Sequence, residues 1–353
     1  MNLKTLIKIL ACKASLSVGL DRLLRYIYRN KLLVVMYHGV TKNIYTPPVW
    51  TQLPEDIFEE QIKWLAENFH PISLEEMIRA VQLQEPLPQN SVLVTFDDGL
   101  KNNIDVAYPI LQKYQVPATI FLTIDFIGTD RFCWVDELYV AIQTAYDKGE
   151  SLELPLAEAE DFYANGNSWA AYYVVVEFLK VLPEKSLRGH LSKILSQVTI
   201  DRDKYQADFG MMSWEDVRAL DSDPLIDFGA HTANHRILTN VPTAALHEEL
   251  FSSRDRMEKQ LGHAITSFCY PNGRLGLDFL EEHMDMLRNG GYTCAFATNR
   301  GMFDLSKDNF FAIPRLSVGN DFLSIPSFFK MNASGFVEIR TNKNISFTSK
   351  DIN

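Results

Sequence analysis

The sequence predicts an α/β fold built on a parallel sheet, and three observations predict it. Short, continuously apolar runs recur at residues 32–37, 91–96, 117–122, 226–230, 267–270, 293–297 and 311–316. Stretches with helical apolar spacing separate most of them, and several end abruptly at a turn carrying polar side chains. Runs that are apolar on both faces belong to strands covered on both sides, and their alternation with helices is the pattern of βα units.

In chain order, Leu32 to Tyr37 forms the first strand and stops at His38-Gly39. Residues 58–68 follow as a helix with Phe58, Ile62, Leu65 and Ala66 on one face, and Ser73-Leu74-Glu75-Glu76 opens another with a capping residue. The strand 91–96 ends at Asp97-Asp98-Gly99; a helix over 107–114 and the strand 117–122 come next. Residues 129–212 break the rhythm with scattered aromatics and helical stretches, and read as a helical insertion. The alternation resumes with a helix at 214–220, the strand 226–230, a long helix at 244–261, the strand 267–270, a helix at 279–289 and the last two strands. The spacing therefore predicts one unit over 31–325. Beyond Pro326 the chain turns rich in Ser, Asn, Thr and Lys, and 326–353 reads as a peripheral tail.

The 353 residues carry 34 Lys+Arg against 45 Asp+Glu, a net charge of −11, which argues against a nucleic-acid partner. With 46% hydrophobic and 22% charged residues the composition is that of a globular protein; the length suits two domains or one embellished α/β barrel. Cys12, Cys133, Cys269 and Cys294 are widely spaced and read as reduced thiols. Lys8 and Lys13 cut the amino-terminal apolar run too short for a signal peptide, and no run reaches a membrane span, so a cytoplasmic protein is expected. Residues 1–30 form an amphipathic segment, with Leu3, Leu6, Ile7, Leu10, Leu16, Leu20, Leu23, Leu24 and Ile27 interleaved with basic side chains over 3–30. Such a helix either lies on an anionic membrane surface or packs on the domain that follows.

Three clusters carry chemistry. Asp97 and Asp98 stand side by side at the end of a strand, and a turn at Gly99 can direct both into one cleft. In α/β barrels that end of the sheet is where catalytic groups collect. His231 and His235, four residues apart just past another strand, are expected on one face of a helical turn, converging on a single ion. Two histidines and one carboxylate leave a coordination position for water, and the spare carboxylate is free to act as a base. The third cluster, Tyr270-Pro271-Asn272-Gly273, is a turn that exposes backbone N–H groups at the same rim and could form an oxyanion hole.

Taken together, T-F-D-D-G at 95–99, H-T-A-N-H at 231–235 and Y-P-N-G at 270–273 resemble the first three motifs of the polysaccharide deacetylases, the NodB homology domain of carbohydrate esterase family 4. M-Y-H-G-V at 36–40 resembles the amino-terminal part of one common branch. The resemblance implies a distorted (β/α) barrel, usually of seven strands, interrupted here by the insertion. It implies that Asp98, His231 and His235 bind one divalent metal, usually zinc, that Asp97 is the general base, and that the backbone at Asn272 helps hold an oxyanion. The implied activity is hydrolysis of N-acetyl groups on amino sugars in a glycan; another metal-dependent C–N hydrolase and a glycan-binding relative are the alternatives. Tyr270, Asn272 and Arg315 are candidate substrate or oxyanion contacts, and Arg315 either orients Asp97 or packs structurally. The family's terminal Leu-x-His, which often supplies a general acid, is replaced by Arg315-Leu316-Ser317-Val318, and no histidine follows His283. His38, at the end of the first strand, either donates that proton or bonds a neighbouring loop.

Overall fold

The computed structural model of the chain describes residues 3–338. Its strands are β1 (Leu33–Tyr37), β2 (Gly39–Thr41), β3 (Gln52–Pro54), β4 (His70–Pro71), β5 (Ser91–Phe96), β6 (Ala118–Leu122), β7 (Ile226–Ala230), β8 (Ser267–Cys269), β9 (Cys294–Phe296) and β10 (Leu316–Ser317). Before β1 come α1 (Leu3–Ser17) and α2 (Leu20–Ile27); between the strands lie α3 (Glu55–Asn68), α4 (Leu74–Leu83) and α5 (Tyr108–Tyr114). The chain then passes through α6 (Trp134–Lys148), α7 (Ala157–Ala164), α8 (Ser168–Lys180), α9 (Glu184–Leu195) and α10 (Arg202–Phe209). It finishes with α11 (Trp214–Asp221), α12 (Thr243–His247), α13 (Ser253–Leu261), α14 (Glu281–Asn289) and α15 (Pro326–Met331).

The main sheet runs β10-β1-β5-β6-β7-β8-β9, seven parallel strands, with β4 added against β5. Alternate side chains of one strand enter different cores, as the two-residue period of a strand requires. Leu33, Val35 and Tyr37 of β1 join Val92, Val94 and Phe96 of β5 under Phe58, Ile62 and Leu65 of α3. Val34, Leu93, Phe121, Cys269 and Phe296 form the other layer, inside the curl of the sheet. The central strands are therefore mostly apolar, because both of their faces are covered, with Thr95 and Ser267 among the buried exceptions.

Curling is completed by the segment 310–317, of which 311–316 reads as one strand in the sequence; the structure divides it. Its first half bonds to the β9 edge, with Ala297 N–H donating to the Ile313 carbonyl at 2.8 Å and Ile313 N–H to the Ala295 carbonyl at 2.9 Å. Its second half, β10, pairs with β1 through Val35↔Leu316 and Met36↔Ser317. One segment thus joins the two open edges, and only its last two residues lie in the main ladder.

Helix starts follow local chemistry where the sequence advertises it. Ser73 accepts from Glu76 N–H at 3.1 Å while the Glu76 carboxylate accepts from Ser73 N–H at 2.8 Å, a complete capping box. Two other helices differ from expectation. The amino-terminal segment is two helices rather than one, broken at Gly19, whose φ of 78° ends the first helical course. The long helix over 244–261 contains a π turn, Glu248–Ser252, between α12 and α13. Helices α6 to α10 form the insertion in the β6–β7 connection, and α6, α8 and α9 share a separate core of Leu138, Ile142, Val175, Leu179, Leu187 and Leu191.

The expected peripheral tail is corrected over 326–338, while 339–353 lies outside the described residues. Helix α15 buries Phe328 and Phe329, Ala333 and Val337 continue the core, and Glu338 pairs with Lys31 at 2.8 Å. The polar composition of this stretch concealed apolar side chains at helical spacing. Truncation at Phe329→Ala is expected to cost about 3–5 kcal/mol, the range for a fully buried aromatic. Urea denaturation measures it, and a change under 1 kcal/mol would return this segment to the periphery.

Candidate metal and catalytic site

β5 delivers both acids to the rim by a backbone device. Asp98 has φ 76° and Gly99 φ 86°, so the chain reverses its twist immediately after Asp97 and the two carboxylates need not point to opposite faces. A left-handed non-glycine residue stores roughly 1–3 kcal/mol of strain, and such strain collects at functional sites. A Cβ at Gly99 would start 2.8 Å from Leu122 Cδ2 and 2.9 Å from Ile127 Cδ1, so those side-chain ends would have to shift, and the positive φ is what favours glycine there.

His231 and His235 sit after β7 in a turn, not in the helical turn their spacing suggests: Thr232 and His235 have φ of 63° and 55°. Their rings nonetheless converge, with centroids 5.0 Å apart. His235 Nε2 lies 3.4 Å and His231 Nε2 3.6 Å from Asp98 Oδ1. Ligands of one tetrahedral zinc stand about 3.3 Å apart, given metal–ligand distances near 2.0–2.1 Å. His231 Nδ1 lies 2.8 Å from the Cys269 carbonyl, which can only accept, so the proton is on Nδ1 and the Nε2 lone pair faces Asp98. Glu249, brought round by the π turn, accepts from Ala233 N–H and Asn234 N–H at 3.0 Å each and holds the turn in place.

The electrostatics suit a cation. Burial first, then the charge of His235 for His231 and of His38 for His235, lowers both histidines to about 4, so they are neutral and their lone pairs are available at pH 7. Burial raises Asp98 against the pull of His38 and His231, and its Oδ1 has no hydrogen-bond partner among the described residues. A buried carboxylate oxygen without a donor, facing two imidazole lone pairs, is a site that a divalent ion completes. Asp98, His231 and His235 fit that group. A second cluster, Asp97, His231 and Cys269, does not, because its carboxylate is already engaged and burial holds the Cys269 thiol protonated.

Asp97 is gripped by Arg315, whose Nη1 and Nη2 donate to its two oxygens at 2.7 and 2.8 Å. The guanidinium also donates to the Ala297 carbonyl at 3.0 Å and to Thr95 Oγ1 at 3.2 Å, and its side chain has no solvent exposure. Burial alone would raise the Asp97 carboxyl, but Arg315 outweighs it and holds the group well below the usual carboxylate range. Arg315 therefore faces Asp97, and its place there is not that of an open substrate contact.

His38 stands at the end of β1, its ring edge-on to Trp50 at 5.2 Å, and its buried Nδ1 has no hydrogen-bond partner among the described residues. Its charge acts on both Asp97 and Asp98. Tyr270 departs from the expectation of a substrate contact. Its ring stacks on Phe279 with centroids 3.6 Å apart, its hydroxyl donates to the Phe311 carbonyl at 3.0 Å, and its N–H to the Phe296 carbonyl at 3.1 Å. An apolar wall and a paired hydroxyl make it an anchor for the turn, with no group left over. Asn272 has φ 58°, its carbonyl accepts from Thr298 Oγ1, and its N–H meets no acceptor among the described residues.

The insertion contributes residues that the motifs did not reveal. Trp134 and Asp136 occupy the first turn of α6. Trp134, Leu182, Glu184 and Arg188 from the insertion, with His235 and Arg236 from the barrel, line an open pocket. Asp136 is buried and accepts no hydrogen bond among the described residues; burial, then the charge of Asp98, raises its carboxyl well above the ordinary value. The available signal was an acid set among Phe132, Cys133, Trp134 and Val135, an odd neighbour for apolar residues. Glu249 gave no such signal, because acids on a helix are usually solvated.

A parallel, curled α/β sheet with an Asp-His-His cluster and an ion-paired acid at the carboxyl ends of its strands defines the architecture of a barrel hydrolase. The polysaccharide deacetylase family model matches residues 84–295, more than half of the chain, and the chain belongs to that family. Among curated relatives, Bacillus subtilis YxkH is 34% identical over 99 residues, 28% of this chain and 34% of that protein. The Escherichia coli poly-β-1,6-N-acetyl-D-glucosamine N-deacetylase is 42% identical over 60 residues, 17% of this chain and 9% of that protein. The matches thus span about a third or less of the length of these relatives. Among solved structures, the Streptococcus pyogenes deacetylase PplD in complex with acetate superposes with a TM-score of 0.54 at 17% identity, covering 86% of this chain and 98% of that one. At that identity the likeness shows the fold.

Two outcomes follow from the electrostatics. Replacing Arg315 by Gln leaves Asp97 buried and unpaired, and is expected to cost about 3–5 kcal/mol in denaturant unfolding. The double replacement Asp97→Leu/Arg315→Leu should recover most of that loss. The folded histidine values near 4 lie below the unfolded value of 6.5, so the unfolded chain binds protons first on acidification. Their contribution in the metal-free protein is full above pH ~6.5 and declines toward pH ~4. Thermal melts of wild type and His231→Gln/His235→Gln across that window should converge as the pH falls; parallel curves would contradict the lowered values.

Proposed function

We propose that the chain is a metal-dependent deacetylase that hydrolyses N-acetyl groups of amino sugars in a glycan. The observation that carries the reading is the convergence of Asp98, His231 and His235 on one point while Asp97, within 4.8 Å of a His231 ring nitrogen, is kept ionised by Arg315. Binding a sugar would need no second acid held charged beside such a cluster. Family membership supports the reading, as does the naming of a curated relative as an N-acetylglucosamine deacetylase.

A divalent ion held by Asp98, His231 and His235, with zinc the ion that two imidazoles and a carboxylate suit, would polarise the acetyl carbonyl and acidify water. The protein's own groups do the rest. Asp97 accepts the proton of the attacking water; the Arg315 grip keeps its carboxylate oriented and ionised, at the cost of lower basicity. The Asn272 N–H is a donor at the rim for the oxygen of the tetrahedral intermediate. His38, with an unpaired ring nitrogen on the same rim, supplies the proton that the departing amine needs. Arg315 acts through Asp97 and is a positioning residue.

Acetate release from a panel of N-acetylated oligosaccharides and nucleotide sugars, with zinc supplied, tests the activity. Absence of acetate from a zinc-loaded protein across the panel would redirect the site to another amide. Site variants test the roles. Asp97→Asn is expected to abolish turnover and keep the metal, Asp98→Asn to lose both, and His38→Ala to keep metal and fold while kcat drops ~10²–10⁴-fold. Equal metal loss in both aspartate variants, measured by elemental analysis, would erase the division between ligand and base.

A further inference from the structure

We propose that the hairpin of α1 and α2 docks the protein on an anionic lipid surface. The inference stands apart from the deacetylase reading, since it rests on the opposite end of the sequence and on no catalytic residue. The hairpin is held to the body by its inner face, where Ile9 and Leu24 are buried and Arg25 pairs with Asp21 at 2.9 Å beneath Trp64. Among the described residues, several large apolar side chains of its outer face are exposed. Ile7, Leu10, Leu23, Tyr26 and Ile27 are each more than half exposed, between 54% and 64%, and Val18 at the bend is 82% exposed. Leu23, Tyr26 and Ile27 fall at i, i+3 and i+4, one stripe of α2. A cluster of large apolar side chains confined to one element is unlike the scattered exposed residues of an ordinary surface.

Charge identifies the occupant. The first 31 residues hold seven basic residues against the single acid Asp21, a net charge of +6, so the remaining 322 residues carry −17. Lys13 and Arg22 lie exposed beside the apolar stripe, and Arg29 stands over the Tyr26 ring at 4.2 Å. Aliphatic and aromatic side chains flanked by cations are the pattern of a helix that lies in a lipid headgroup layer, whereas a two-fold pairing of copies through this face would oppose Lys13 and Arg22 of one copy to those of the other. No described helix is long and apolar enough to cross a membrane, so the contact is peripheral. Burial of the stripe and attraction of the basic side chains act together, which makes the binding dependent on both lipid charge and salt.

Co-sedimentation of the full chain with phosphatidylcholine vesicles, with and without a one-third fraction of phosphatidylglycerol, tests the proposal. The intact protein is expected to pellet with the anionic vesicles at low salt and to be released by high salt. Lys13→Gln/Arg22→Gln should weaken partitioning roughly fivefold per charge removed, and Leu10→Ser/Leu23→Ser/Ile27→Ser should lose it at least tenfold. Those positions are exposed, so the variants keep the fold, which their melting curves verify. No binding to anionic vesicles, equal binding to neutral ones, or apolar variants that bind as the intact chain does would each overturn the proposal. So would a dimer in sedimentation equilibrium that the apolar variant abolishes, since it would assign the stripe to a second copy. Acetate release plays no part in this readout, so either reading can fail alone.

Discussion

The buried pair of Asp97 and Arg315 is the interaction on which the rest of the site depends. Each charge loses several kcal/mol of hydration on burial, and only a geometry that satisfies both groups returns it. The fork of Arg315 does so, meeting both carboxylate oxygens and, through Nε, the Ala297 carbonyl beyond β9. Because Asp97 ends β5 and Arg315 directly precedes β10, the pair spans the interior of the curl at the level where the ligands stand. The segment that joins the two sheet edges thus also delivers the counter-ion of the acid. Closure of the fold and ionisation of the acid are one event.

Around that pair the rim is shaped by turns in unusual backbone regions. Asp98, Thr232, His235 and Asn272 all have positive φ, and all four border the cluster or its expected oxyanion donor. Regular strands would send successive side chains to opposite faces; these residues do not, because each strand ends in a reversal that a rigid sheet and a few bonds maintain. Glu249 from the π turn, the Cys269 carbonyl and Thr298 supply those bonds. The insertion then walls one side, its Trp134 and Arg188 lining the same pocket as His235, so that pocket is shaped by a part of the chain outside the barrel's repeating plan.

The legible part of the molecule was the part governed by local rules. Apolar runs with both faces covered marked the strands, and Ser73 with Glu76 marked a helix start. Asp97-Asp98 and His231/His235 stood out because such residues have no ordinary reason to cluster after apolar strands. Where the reading departed from the structure, a distant contact had intervened. Tyr270 looked free in its turn and is stacked on Phe279; residues 326–338 looked frayed and are covered by the core. The helical turn expected for 231–235 gave way to left-handed residues held by Glu249, which is remote in sequence.

By itself the sequence determined the strand order of βα units, the place of the insertion, the residue types of the cluster and the +6 amino-terminal segment, since each is written in spacing or composition. Only the tertiary structure decided which acid is ion-paired and which is left without a donor. Adjacent carboxylates are chemically identical until the fold places a guanidinium against one and two imidazoles against the other. It also decided which face of the amino-terminal hairpin is buried, because an amphipathic pattern states that one face seeks cover but not where that cover lies. The burial of Glu249 belongs to the same class: a carboxylate on a helix reads as solvated until packing removes the water around it.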